Sequence, residues 1–273
     1  LPELVAEDLL ASTLRPRVDL HKNCIYLVLH FPAIRHSWSV SKNQEIDFVI
    51  GHNFLITTHY QAFSGVSEFA TVFQSSQLEN HHGQNKTHAG LLFCYLMRKL
   101  YGDLAVGLDY INGVLKQAEK KVFAGQELAM VKLLTEVNRN LLDFRWALKH
   151  HREVLNSLIP AAKEFFDNGF HHHLGIVIGE YDRIWAMLEN DRETFTDLRE
   201  TNESLLSIKT NETMKVFTVV AVIFFPLTLI TQFFGMNVIL PIADSPYSYY
   251  FVLALMLGTL FVMLALAKYR RWL

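Results

Sequence analysis

Cysteine is nearly absent: Cys24 and Cys94 are the two in 273 residues. They give no disulfide framework and no Cys-rich metal site, and suit a reducing compartment. Catalytic signatures are missing too. No GxSxG, HExxH or P-loop pattern occurs, so an enzyme is not expected and no organic cofactor is implied. A basic excess is lacking: over residues 1–213, Asp and Glu outnumber Lys and Arg by five, which leaves no electrostatic footprint for nucleic acid. No charged n-region followed by an apolar core opens the chain, and it begins with Leu1 rather than Met. The natural N-terminus is therefore expected to lie upstream.

Charge itself is missing from Val216 to Ala243 and again from Ser245 to Ala267. A membrane-spanning helix needs about 20 mostly apolar residues, so both stretches qualify. The mean hydropathy of +0.16 is far below that of a polytopic bundle, and the apolar excess is local. The connection 237–248 has no Lys or Arg. Lys209 and Lys215 precede the first span, and Lys268, Arg270 and Arg271 follow the second. Cytoplasmic flanks collect such residues, which puts both termini inside and the connection outside.

The rest of the chain divides by pattern. Cys24–Phe31, Glu45–Ile50 and Phe54–Thr58 are rich in β-formers, the last two joined by Gly51-His52-Asn53, and predict a small α/β layer. Ser67–Phe73 reads as a short helix and Ser75–Thr87 as a loop. Helical periodicity covers His88 to about Phe123 and Gln126 to about Ile159, an antiparallel pair broken at Ala124-Gly125 and stopped by Pro160. A third helix starts near Phe170 and meets no proline before Pro226. If unbroken to Phe234 it is roughly 95 Å long, of which about 30 Å fits in hydrocarbon. Its apolar positions need burial by the hairpin or by copies of itself, and self-association is the economical reading. The domain division is thus 1–75 (α/β), 76–168 (helical hairpin), 169–235 (stalk and first span), 236–248 (external loop), 249–267 (second span) and 268–273 (basic tail).

Thirteen histidines occur, including His81-His82, His150-His151 and His171-His172-His173. Consecutive helical residues point about 100° apart, so these runs do not converge on a metal and read as solvated. Glu119-Lys120-Lys121 and Asp191-Arg192-Glu193 read as solvated helix faces. In the first span, Asn211, Met214, Thr218, Ala221, Phe225, Thr228 and Gln232 recur at three- and four-residue steps and share one face. Lipid has little use for Asn, Thr and Gln, whereas a pore can use polar rings between apolar constrictions.

Three blocks resemble the CorA-type divalent-cation transporters: NETMKVFTVVAVIFFPLT (Asn211–Thr228), Gly235-Met236-Asn237 at the end of the first span, and the ending KYRRWL from Lys268. LVAEDLL from Leu4 and RPRVD from Arg15 also resemble that family's cytoplasmic segment. The resemblance is strong after Asn211 and loose between Phe63 and Phe170. It implies an α+β cytoplasmic domain, a long helical stalk and two transmembrane helices, assembled as a funnel-shaped homopentamer in the cytoplasmic membrane. It implies divalent cations as the transported partner, Mg²⁺ first and Co²⁺ or Ni²⁺ besides.

It assigns Gly235, Met236 and Asn237 to a selectivity filter; Asn211, Met214, Phe217, Ala221, Phe225 and Thr228 to the pore and gate; and Lys268, Arg270 and Arg271 to a basic collar. Phe217 and Phe225 stand where well-known bacterial relatives carry Leu and Met. Regulatory carboxylates are implied on the stalk and just after the sheet. Gap-free counting from Gly235 puts Ile176 at the stalk position and leaves only Glu68 at the other, with Glu180 and Asp182 as substitutes and Glu200 as a further inner-stalk acid. A ZntB-type Zn²⁺ transporter of the same fold is the near alternative, and a non-conducting membrane-anchored scaffold or sensor the distant one.

Overall fold

The computed structural model describes residues 3–10, 12, 13, 15–32, 43–60, 64–79, 88–163, 165, 166, 168–236 and 247–270. The chain forms two compact units, Leu1–Glu200 and Thr201–Leu273.

The first unit is built on an antiparallel four-stranded meander in the order β1 (Arg17–Leu20), β2 (Ile25–Phe31), β3 (Gln44–Ile50), β4 (Leu55–His59). β2 and β3 are buried on both sides, as their continuous apolar runs require. One face stacks Ile25 against Ile50, Leu27 against Phe48 and Leu29 against Ile46. Helices lie over it: Phe48 meets Phe93 edge-on at 5.3 Å, and Phe31 meets His151 at 5.0 Å. The other face carries Tyr26, Val28 and Val49, which with Cys24 pack against Val5 of the short helix α1 (Glu3–Asp8). α1 and β1, six and four residues long, are too short to declare a period in the sequence.

α2 runs Ser64–Glu79. It corrects the expected loop from Ser75, whose first five residues continue the helix; residues 80–87 lie outside the described set. α3 (Ala89–Phe123) buries Phe93, Met97, Leu100, Leu104, Leu108, Ile111, Leu115, Ala118 and Val122, a regular three-four stripe. It ends in a glycine cap: Gly125 has φ 85°, its N–H donates to Val122 O at 3.1 Å, and Gln126 N–H reaches Lys121 O at 3.1 Å.

The second arm of the hairpin differs from expectation. It is two helices, α4 (Glu127–Leu148) and α5 (His151–Ala162), separated by Lys149-His150. Pro160 does not stop it, because that residue sits in the last turn, where the missing N–H forfeits a single bond close to the helix end. The break delivers His151, expected to be solvated, into the core at 0% exposure. Its Nε2 lies 2.7 Å from the His30 carbonyl, to which it donates, and its Nδ1 accepts from the Tyr101 hydroxyl at 2.9 Å. Burial lowers the imidazole's pKa to about 3.

Replacing His151 by Leu keeps the volume and orphans both partners, at about 1–3 kcal/mol each. A clear fall in the thermal midpoint of the detergent-solubilised chain is expected; an unchanged midpoint would refute this role. The sign of the pH effect follows. The unfolded imidazole takes a proton below about 6.5 and the folded one does not until about 3. Stability is full above 6.5 and drains by about 1.4 kcal/mol per pH unit as pH falls through that window. His151→Leu should lose that component.

α6 spans Asn168–Phe234. Within the first unit it buries Phe170, Leu174, Val177, Tyr181, Ile184, Leu188, Asp191, Phe195 and Leu198 at alternating steps of four and three. The hairpin covers them: Tyr181 packs on Tyr101 and His151, Arg145 pairs with Glu189, and Asn112 donates to Asp191 at 2.7 Å. Self-association is therefore not what buries this stretch. Asp191, expected on a solvated face, is 3% exposed; it occupies an apolar register position, and its burial raises its carboxyl pKa. α7 covers Ser248–Tyr269.

Candidate ion pathway

Two helices, α6 in its second half and α7, are long and apolar enough to cross a membrane, and only 6% of the most apolar window of each is buried within the chain. Such surface has to be covered by lipid or by further protein. Tyr247, Tyr249 and Tyr250 stand exposed at the start of α7 and Tyr269 at its end, where aromatic side chains favour the water–hydrocarbon boundary. Lys268 and Arg270 close the helix on the favourable side of its dipole; Arg271 lies outside the described residues.

On α6, Asn211, Met214, Phe217, Ala221, Phe225 and Thr228 are all exposed, with Met214 at 58%, Phe217 at 64% and Phe225 at 73%. In contrast Val219 is buried. The Thr228 hydroxyl donates to the Phe225 carbonyl at 2.8 Å and that of Thr218 to Met214 O at 2.8 Å. With their protons committed to the backbone, these oxygens present lone pairs and act outward as acceptors. Pro226 removes one donor from this turn without ending the helix.

At the close of α6, the Gly235 N–H donates to Thr231 O at 2.9 Å. A Cβ at 235 would come within 3.0 Å of that same backbone oxygen, so the close of the helix favours glycine. Met236 follows, 53% exposed, rather than packed into the bend. Asn237 and the loop to residue 246 lie outside the described residues.

The candidate regulatory acids do not converge. Glu68 pairs with Lys99 at 3.3 Å, Glu180 with Arg183 at 3.8 Å and Asp182 with Arg152 at 3.4 Å. Lys99 is also 2.5 Å from Asp103, and these carboxylates hold its ammonium pKa up. Ile176 is half-buried and Glu200 exposed. Among the described residues, no group of three or more His, Cys, Asp or Glu is placed to hold an ion. The sequence reading missed the cations beside these acids, although the Lys99/Asp103 spacing of four was available to it.

A family model described as CorA-like Mg²⁺ transporter protein matches residues 1–271. The chain belongs to this family. Among curated relatives, the cobalt/magnesium transport protein CorA of Thermotoga maritima is 26% identical over 99% of this chain and 76% of its own length. The Methanocaldococcus jannaschii protein of the same name is 21% identical, over 94% and 80%. The complete structure of the Methanocaldococcus jannaschii CorA magnesium transporter superposes with a TM-score of 0.80 at 20% identity, over 94% of this chain and 80% of that one. The ZntB cytoplasmic domain of Vibrio parahaemolyticus gives 0.54 at 17% identity, over 76% and 80%. CorA family members are transporters, not enzymes. The sheet unit, the long helix and the two apolar helices are the CorA arrangement, and the chain is a membrane protein.

Proposed function

We propose that this CorA family member is a homopentameric channel-transporter for Mg²⁺ in the cytoplasmic membrane, with both termini inside. α6 from Asn211 onward lines the path, and Gly235-Met236-Asn237 forms its selective outer end. The carrying observation is the exposed stripe on α6, where polar acceptors alternate with bulky apolar rings and no charge occurs on the helix from Val216 onward. Mg²⁺ dehydrates reluctantly, so neutral acceptors such as Thr228 and an Asn237 amide ring grip its water shell without the tight binding of a carboxylate ring, and the ion can leave. Passage is passive: a divalent ion gains about 4.6 kcal/mol per 100 mV of inward-driving potential. Lys268, Arg270 and Arg271 form a basic collar at the inner mouth, and Co²⁺ or Ni²⁺ are secondary cargo.

The deciding experiment reconstitutes the chain in liposomes and compares Mg²⁺ with Zn²⁺ influx under an imposed potential. Mg²⁺ entry that scales with potential supports the reading. Preferential Zn²⁺ entry moves the chain to a ZntB-type role, and absence of flux in correctly inserted protein leaves a scaffold or sensor.

Feedback by internal Mg²⁺ is expected to be weak, because Ile176 offers no carboxylate and Glu68, Glu180 and Asp182 already face cations. A ligand shifts an equilibrium only by its differential affinity for the two states. Titrating internal Mg²⁺ through the millimolar range should leave conductance nearly flat. Strong inhibition that disappears in Glu68→Ala or Glu180→Ala would show that these acids bind the ion after all.

A further inference from the structure

Two carboxylates share the sheet face beneath α1. Glu45 and Asp47 are two residues apart on β3, opposite His30 and Val28 of β2; Asp47 is fully buried and Glu45 is 7% exposed. Both Glu45 oxygens accept the Thr13 N–H, at 2.8 and 2.9 Å, and Oε2 lies 3.4 Å from His30 Nε2, which also approaches the Thr13 carbonyl at 3.0 Å. Asp47 Oδ2 accepts from the Thr58 hydroxyl of β4 at 3.2 Å. Its Oδ1 is buried without a hydrogen-bond partner, and so is the Tyr26 hydroxyl on the same face.

Among the described residues, few other ionisable groups face the pair. From β1 comes Arg17, which already binds Asp8 of α1 and reaches Asp19 at 3.0 Å while lying 5.3 Å over the Tyr26 ring. Tyr60, beyond β4, directs its hydroxyl to Leu9 O at 3.4 Å, and the Cys24 thiol is buried beneath Val5. Arg17 thus already serves two carboxylates, Asp8 and Asp19, while Glu45 and Asp47 lie out of water. Two adjacent buried carboxylates cannot both ionise cheaply. Desolvation first, then the neighbouring Glu45, pushes the Asp47 carboxyl up to about 7.

We propose that Glu45 and Asp47 form a proton-binding switch under α1: the face is closed while the pair holds one proton, and losing it redirects Arg17 from Asp8 to Asp47 and frees α1. The chemistry is a single step. The O–H bond on the Asp47 carboxyl breaks, the proton goes to water, and the new carboxylate competes with Asp8 for Arg17, which stands opposite Val28 on β1 as Asp47 does on β3. His30 sits against Glu45 and cannot take that role at Asp47. Cytoplasmic pH would thereby set the order of the N-terminal edge of the sheet, independently of which ion the chain carries.

Hydrogen exchange on the full chain in lipid nanodiscs, from about pH 6 to about pH 9 and corrected for intrinsic exchange, tests this. Protection of α1 and β1 should fall by up to about tenfold per pH unit once Asp47 ionises, while α3 amides stay level. Asp47→Asn should flatten the response. A second readout needs no variant: an infrared band of a protonated side-chain carboxyl should be present at the acid end and gone at the alkaline end. Level α1 protection in the wild type, a slope that survives in folded Asp47→Asn, or absence of the carboxyl band at the acid end would each overturn the proposal.

Discussion

Asn237→Ala is expected to abolish selective Mg²⁺ flux while leaving assembly intact. Mg²⁺ keeps a near-octahedral shell of waters at about 2.0–2.1 Å and yields them slowly, so the pathway has to recognise a hydrated object by accepting hydrogen bonds from its waters. An amide oxygen at 237, repeated around a ring, supplies those acceptors; a methyl group supplies none. A hydrogen bond to a charged partner contributes about 1.5–3 kcal/mol, and about 1.4 kcal/mol is a factor of ten. Losing the ring should therefore erase discrimination by well over tenfold. The position lies past the helix end that Gly235 closes against Thr231 O, so truncating it leaves the helix untouched. The measurement is flux and selectivity in liposomes beside a native mass in mild detergent. Wild-type selectivity in a pentameric variant would remove Asn237 from the filter, and a monomeric or dimeric mass of the wild type would remove the pentamer.

Phe217→Gly should raise leak, the second large effect. Met214, Phe217 and Phe225 are exposed apolar groups on the stripe that bears Asn211 and Thr228. Repeated around an axis, such side chains form a constriction that gates by excluding water. Removing the ring at 217 lowers the cost of wetting it, so conduction should become faster. Glycine costs about 1 kcal/mol of helix propensity, so Phe217→Ala serves as a control with a smaller effect in the same direction. Unchanged flux in correctly assembled Phe217→Gly would mean that this ring contacts a neighbouring helix, and Met214 or Phe225 would then be the place to look for the gate.

Long periodic or uncharged segments were legible because each residue votes for the same answer. The stretches from Val216 and Ser245 declared two spans, and the third helix, read as starting near Phe170, begins at Asn168. What stayed hidden were exceptions that only tertiary contacts explain. His151 looks like half of a solvated pair until Tyr101 and the His30 carbonyl are brought to it. Asp191 looks like part of a charged face until Asn112 meets it. Glu45 and Asp47 did carry a signal: in a strand, alternate residues share a face, so two acids two positions apart had to be neighbours. Nothing in the one-dimensional pattern said that α1 would cover them. The filter itself rests on the resemblance and on chemistry, since Asn237 lies outside the described residues.

Lys99 gives the acids around it a meaning of their own. A dissociable ion between Glu68 and Asp103 would report its own concentration, because occupancy follows supply. An ammonium on a covalent stem is present at an effective concentration fixed by geometry, held at 3.3 Å from one acid and 2.5 Å from the other. It carries no information about the cell's metal content. On the proposed function, a protein wired in this way is expected to behave as a fixed conductance, and a cell that needs less influx through it has to make fewer copies.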